Sequence, residues 1–402
     1  MKKPELLAPA GDLERLKIAL LYGADAVYIG GPLLNLRANA INFTLDEIKE
    51  AVEFAHSLNK KVYVTVNIIL HDDEVKELNE YLKKLEEYNV DAIIVSDPVV
   101  IEEALKNTRL DVHLSTQAST LNIEAVKYWK NEGVSRIVLA RECPKEDIKE
   151  IINNVDIEIE TFIHGAMCAG FSGRCVMSNF LTNRDANRGG CSQICRWDFN
   201  LFDENMEEIK GDMPFTFCSK DLSMLSNIPE MIDMGISSFK IEGRMRSTYY
   251  IATVVSIYRK VIDEYCNSKD NYTYNKTYKR ILDRVANRDS IVQFFDGKYD
   301  YTCSYYNGRT EVSNQDFLGI VIDYDEYTKL ATVEERNYFE KGNIVEIFGP
   351  SHEIITLKLD KIYDEDNNLI DVVRHPKQVV KIYVEQSVKK NDMMRIKTID
   401  ND

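Results

Sequence analysis

No window of this 402-residue chain approaches the 18 consecutive apolar residues of a helical membrane span. The opening MKKPELLAPAGD carries two lysines with no apolar run behind them, so the pattern of a secretory leader is missing as well. The eight cysteines are therefore expected to work in the reducing cytoplasm, as ligands, catalysts or core thiols rather than disulfides. Net positive charge is also lacking. Asp and Glu number 66 against 50 Lys and Arg, for a formal charge of −16, which argues against a general nucleic-acid coat but not against a local basic patch. There is no Gly-x-Ser-x-Gly elbow, no His-Glu-x-x-His zinc helix and no peptide-cleft signature.

What is present is a repeated theme. Short β-branched runs alternate with amphipathic stretches: ELLAPA before DLERLKIALLYGA, KVYVTVN before EVKELNEYLKKLEEYNV, DAIIVSD before PVVIEEALKN. Eight strands are predicted, near residues 5–9, 25–30, 61–66, 91–96, 111–116, 136–140, 157–163 and 237–242. Strand–helix alternation of this kind makes right-handed βαβ units and a parallel sheet. Eight units in about 250 residues predict an α/β fold, a (β/α)8 TIM-type barrel over 1–268, with an open doubly wound sheet as the competing topology. Residues 269–313 read as a polar connector with one short helix. From 314 to 402 short strands alternate with turns at Gly342-Asn343 and Asp366-Asn367, which predicts a small all-β barrel.

Barrel chemistry sits at the C-terminal ends of the strands. The polar residues predicted there are Asn35, Arg37 and Asn39, then Asn67, Asp97, Ser115, Thr116, Gln117, Arg141, Glu142, His164, Glu242 and Arg244. Each alone reads equally well as a satisfied loop residue. Together, guanidinium, carboxylate and amide groups suit a small, oxygen-rich anion. His113 falls inside its strand and reads as a core residue.

The stretch 164–236 separates strands seven and eight where a few residues would do, so it reads as a functional insertion. It opens with four cysteines, Cys168, Cys175, Cys191 and Cys195, in the spacing C-x6-C-x15-C-x3-C. Three readings stand side by side. A [4Fe–4S] cluster tolerates irregular spacing in a Gly-rich loop. Zinc prefers paired knuckles, and only Cys191/Cys195 comes near one. A catalytic Cys168 with His164 four residues earlier leaves three thiols unexplained. Cys218 is a further candidate ligand. Arg174, Arg184, Arg188 and Arg196, with Lys240, Arg244 and Arg246, form a positive zone suited to thiolate counter-charge or to phosphate and carboxylate binding. Trp197 and Phe199 beside it suit either base stacking or core packing.

HGAMCAGFSGRC…NRDANRGGCSQICRW, the opening ELLAPAG, YIGG, STQAS and SSFKIEGRMRS together resemble the peptidase U32 family over nearly the whole chain, C-terminal β module included. That resemblance implies oxygen-independent hydroxylation, with an iron–sulfur cluster in several members. Length, the short inter-cysteine loop and the β module favour the branch that forms 5-hydroxyuridine at wobble position U34 of tRNA, with prephenate as a linked metabolite, over the rRNA and ubiquinone branches. It implies Cys168, Cys175, Cys191 and Cys195 as cluster ligands. In the ubiquinone branch a later cysteine, near Cys218 here, serves as the fourth, so that position stays open. The implied partners are the tRNA anticodon loop, a small carboxylate metabolite and a U32 paralogue, with no membrane. On this reading His164, with a near-neutral pKa, moves a proton beside Glu242, Arg141 and Gln117. Arg37, Asn67, Ser115, Arg184, Arg188 and Arg244 bind substrate, and the loop and β module admit the nucleotide. The alternatives are a U32-type peptidase or collagenase and a non-catalytic, cluster-bearing RNA-binding subunit.

Overall fold

The computed structural model describes residues 2–36, 42–286, 288–297, 299–306 and 314–398. Eight strands close a parallel barrel: β1 (Glu5–Pro9), β2 (Ala26–Gly30), β3 (Lys61–Val66), β4 (Ala92–Val95), β5 (Asp111–Leu114), β6 (Arg136–Val138), β7 (Glu158–Gly165) and β8 (Ser238–Ile241). Each pairs with its sequence neighbour. β8 pairs with both β7 and β1, with Ser238 opposite Glu160 and Glu5, so the sheet has closed. The open-sheet alternative is thereby excluded. Strands such as AVYIG are buried along their whole length, because helices cover the outside and side chains fill the inside.

The helices begin where the sequence supplies caps. Asp12 caps α1 (Leu13–Leu21), and Thr44 with Glu47 forms a capping box on α2 (Leu45–Ser57). Asp97, expected in the ring of site residues, instead caps α3 (Pro98–Asn107) through the Val99 amide and holds the Leu70 amide with its other oxygen.

The inside of the barrel is partly ionic. A small apolar group, Leu7, Ala26, Tyr28, Tyr63, Ala92 and Ile94, shares it with five charges. Glu160 is fully buried and accepts from Lys240 at 2.8 Å and from Arg136 at 3.1 Å. Arg136 also reaches Glu5 at 2.6 Å and Glu158 at 2.7 Å. Burial alone would raise the Glu160 pKa, but Lys240 and Arg136 outweigh it and hold the carboxyl down to about 2.

The insertion returns to the barrel through Asp221–Ser223, which pairs antiparallel with the upper end of β7: Ser223 opposite His164 and Leu222 opposite Gly165. Ser290–Ile291, from the region expected to be a connector, adds to the same short strand. The helix Thr248–Asn267 (α4) then packs against α1.

Residues 317–396 form an antiparallel all-β module around its own core of Val321, Val333, Phe339, Ile347, Val380 and Met394. It docks on the side of the barrel. Tyr22 of α1 donates to the carbonyls of Phe348 and Asn391, and Tyr249 of α4 stacks on Phe317 at 4.8 Å. Arg284 forks onto Asp316 with two bonds of 2.6 Å.

Removing the Glu160 charge takes from buried Lys240 its carboxylate partner and from Arg136 one of three. Glu160→Gln is expected to cost about 3–5 kcal/mol in urea unfolding at neutral pH. Because the folded pKa lies below the ordinary value of 4.5, the Glu160 contribution is present above pH 4.5 and is lost as pH falls towards 2. An unchanged unfolding midpoint in the variant would contradict this network.

Candidate active site at the barrel mouth

Two connected cavities occupy the C-terminal end of the barrel. The outer one, about 560 Å³, lies between the barrel rim and the cysteine insertion. The inner one, about 90 Å³, sinks into the barrel. Both are bordered by Thr116, Gln117, Arg141 and Glu242.

The inner cavity is lined by three cations, Arg141, Lys240 and Arg244, and by Glu242. Arg244 is held by Thr65 Oγ1 at 3.0 Å and Asn35 Oδ1 at 2.9 Å. The second half of the YIGG turn makes room for it: a Cβ on Gly30 would lie 2.2 Å from Arg244 Nη1. Arg141 lies 3.9 Å over the Phe162 ring and donates to the Ala166 carbonyl at 2.5 Å, and its buried Nε has no hydrogen-bond partner. Lys240 sits over Tyr28, 4.6 Å from the ring centroid. Gln117 Oε1 accepts from Ser115 Oγ and from Asn67 Nδ2, so these three predicted residues form one amide–hydroxyl chain on the wall.

The outer cavity contains all four clustered thiols, Cys168, Cys175, Cys191 and Cys195. The loop that carries them leaves β7 at Gly165, whose φ of +115° and close approach to the Glu242 backbone admit no side chain. Glu142 pins the next turn by accepting the Ser172 amide at 2.8 Å and its hydroxyl at 3.1 Å. Asn187 clasps the Cys175 backbone through both its amide atoms. The Cys175 sulfur accepts the Met177 amide and the Cys191 sulfur accepts the Gln193 amide, each at 3.4 Å. The Cys168 sulfur is likewise approached by the Gly170 amide, which counters the rise that burial imposes on its pKa. Burial pushes the Cys195 thiol up to about 11, assisted by its neighbours Cys168 and Cys218. Among the described residues no three His, Cys, Asp or Glu side chains gather closely enough to hold one metal ion.

Three expectations need correction. His164 does not reach either cavity. It is 1% exposed, sealed beneath Ser223 and beside Tyr258, whose hydroxyl lies 3.3 Å from Nδ1. Burial, then Arg246, lowers its pKa to about 3, so it is neutral throughout the physiological range and is no proton shuttle. Arg188 is not available to substrate, because its guanidinium forks onto Glu74 with two bonds of 2.7 Å. The β module contributes no residue to either cavity among those described. Arg37 and Asn39 lie outside the described residues. In compensation, Arg246 and Arg288 reach the outer cavity, flanking the buried Asp221 at 3.3 and 2.9 Å.

Residues 11–304 match Peptidase family U32, and residues 313–395 match the Peptidase family U32 C-terminal domain. The chain belongs to peptidase family U32. It is 50% identical over 400 residues to tRNA hydroxylation protein P1 of Bacillus subtilis, covering 98% of this chain and 95% of that one. It is 41% identical over 259 residues to the 23S rRNA 5-hydroxycytidine C2501 synthase of Escherichia coli, covering 64% and 39% respectively. It is also 30% identical over 412 residues to a collagenase of Porphyromonas gingivalis, covering 97% of each.

The burial of His164 in this U32 chain is testable through stability. Unfolding returns its pKa towards 6.5, so the unfolded chain binds the extra proton between about pH 3 and 6.5, and stability rises with pH across that window. His164→Gln is expected to flatten the slope between pH 5 and 6.5 by up to about 1.4 kcal/mol per pH unit in denaturant titrations. An unaltered slope would mean that His164 titrates normally.

Proposed function

We propose that this chain hydroxylates a uridine of tRNA without molecular oxygen, in the cytoplasm, using a [4Fe–4S] cluster held by Cys168, Cys175, Cys191 and Cys195. The observation that carries this reading is the set of four thiols around one cavity, three of them receiving the amide of the residue two places on. Backbone N–H groups aimed at sulfur stabilise thiolate, and hydrogen bonds to cluster sulfurs set a cluster's potential. A single zinc ion needs ligands gathered more tightly than any among the described residues. A four-iron cube spreads its thiolates further apart. When bound, such a cluster supplies one-electron chemistry at the cavity wall.

Cys195, rather than Cys218, is the fourth ligand on this reading. Cys195 borders the cavity with the other three. Cys218 is 1% exposed, lies outside that border, and directs its thiol at the Ser219 carbonyl.

The inner cavity takes the small carboxylate, with prephenate as the working assignment. Arg244 and Arg141 offer the forked donors that suit carboxylate, and Lys240 adds a point charge on the floor. Glu242 stands between the two cavities, where it can accept a proton or hydrogen bond from a nucleoside entering from outside. Names of the relatives support RNA as the substrate class. The peptidase reading draws on the names of two relatives, a collagenase and an uncharacterized protease. A thiol peptidase needs a depressed-pKa cysteine with a reachable base, whereas burial raises Cys168 and His164 stands outside the cavity.

The test is nucleoside analysis of tRNA from a strain lacking this chain and any U32 paralogue, complemented with variants. Wild type restores 5-hydroxyuridine-type modification and Cys168→Ala does not. Anaerobically purified wild type absorbs broadly near about 400 nm. Cys195→Ala loses that absorption with its iron and sulfide, and Cys218→Ala keeps it. The reverse outcome would move the fourth ligand to Cys218. Arg244→Ala, with the cluster intact, is expected to raise the KM for the carboxylate about 10- to 100-fold, the loss of a buried charge-assisted pair of bonds.

A further inference from the structure

The arginines of this protein fall into two groups. Away from the cavities most are matched with carboxylates: Arg136 with Glu5, Glu158 and Glu160, Arg188 with Glu74, Arg284 with Asp316, Arg395 with Glu346. On the cysteine insertion Arg174, Arg184 and Arg196 are not, and the last two stand side by side. The Arg184 side chain is exposed and makes no hydrogen bond or ion pair among the described residues. Arg196 donates only to the neutral Gln193 amide, at 2.7 Å. In a chain with 66 acidic residues, a pair of unmatched guanidiniums calls for an anion from outside.

These two arginines share a second depression on the rim, of about 360 Å³, with Ser192, Gln193 and Trp197. Arg184, Cys191, Gln193 and Arg196 border both this depression and the outer cavity, so the two are contiguous. Trp197 is 47% exposed, and its backbone amide donates to the Ile194 carbonyl at 3.0 Å. A half-exposed tryptophan beside two guanidiniums without carboxylate partners is the arrangement that single-stranded nucleic acid uses, stacking for the base and charge for the phosphate.

We propose that the rim depression is a subsite for the nucleotide next to the reacting one: its base stacks on Trp197, and the phosphate linking the two residues lies between Arg184 and Arg196. The contiguity of the two depressions carries the polymeric part of the claim. A free nucleoside would fill only the cavity, whereas a strand places one residue inside and its neighbour on the rim. The subsite rests on the RNA reading above and adds that recognition extends beyond the target base to an unpaired neighbour. Stacking is tolerant of base identity, so the subsite selects single strands rather than a sequence.

The experiment measures binding of a fluorescently labelled anticodon stem–loop RNA to the full-length, cluster-loaded protein by anisotropy across a salt series. Trp197→Ala is expected to weaken binding roughly 5- to 150-fold, and Trp197→Phe to recover most of that loss. Arg184→Ala/Arg196→Ala is expected to weaken binding and to reduce the slope of log K against log salt by about 0.7 for each phosphate no longer neutralised. Arg109→Ala, exposed at the opposite end of the barrel, is the control and leaves binding unchanged. Retained absorption near about 400 nm in each variant shows that the insertion has folded. Unchanged affinity and salt slope in both rim variants, while the wild type still hydroxylates tRNA, overturns the subsite and leaves the function standing. RNA affinity abolished in the rim variants, with no change in tRNA nucleosides on deletion, supports the subsite and overturns the hydroxylase reading. Binding of gelatin instead of RNA, abolished in the same variants, overturns both.

Discussion

Glu160 sits on the barrel axis, shielded from water between Arg136 and Lys240. The arrangement is expensive, since each ion forgoes hydration and is repaid only by its partners. It has a consequence one layer higher. Lys240 is tethered to Glu160 and lies over Tyr28, so it forms the floor of the inner cavity instead of filling it. Arg141 and Arg244 then line the walls above, Arg141 against Ala166 and Phe162 and Arg244 against Thr65 and Asn35. The lower half of the barrel balances its own charge. The upper half brings Arg141, Lys240 and Arg244 to one cavity together with Glu242.

The strands were legible because each is a short β-branched run bounded by polar residues, and closure follows from having eight of them. The insertion was legible by length, and its cysteines by density. What local pattern did not reveal are the consequences of three-residue pairings between distant segments. Asp221–Ser223 carries no strand signal of its own, yet by pairing with the top of β7 it buries His164. A histidine that looks like a catalytic base at a strand end is thereby turned into a neutral core residue. Glu142 and Asp97 looked equally available and are latches, one on the Ser172 turn and one on a helix start. Arg188 differs from Arg184 in having Glu74 and the Ile69 carbonyl opposite it, and Glu74 lies 114 residues away in the chain. Gly30 was visible as part of a motif, but its reason, the 2.2 Å that a Cβ would leave to Arg244, spans barrel strands far apart in sequence.

The region read as a connector is structural. Ser290–Ile291 joins the sheet beside Asp221–Ser223, and this brings Arg288 against Asp221 at the cavity wall. The same region is tied to the β module by Arg284 and Asp316. The module touches the barrel through Tyr22 and Tyr249, on helices rather than at the mouth. It contacts α4 through Tyr249 and Phe317, and Arg284 through Asp316, four residues before Arg288.

The cysteine insertion then has two faces with different demands. Towards the cavity it must hold four sulfurs, and it does so with backbone: amides two residues on from the thiols, a clasp from Asn187, and a pinned turn at Ser172. Towards solvent it presents Arg184, Arg196 and Trp197, which contribute little to that scaffold. Because the scaffold uses main chain, the outward side chains are free to differ without disturbing the sulfurs. Separation of this kind lets one barrel and one thiol loop serve substrates of different size.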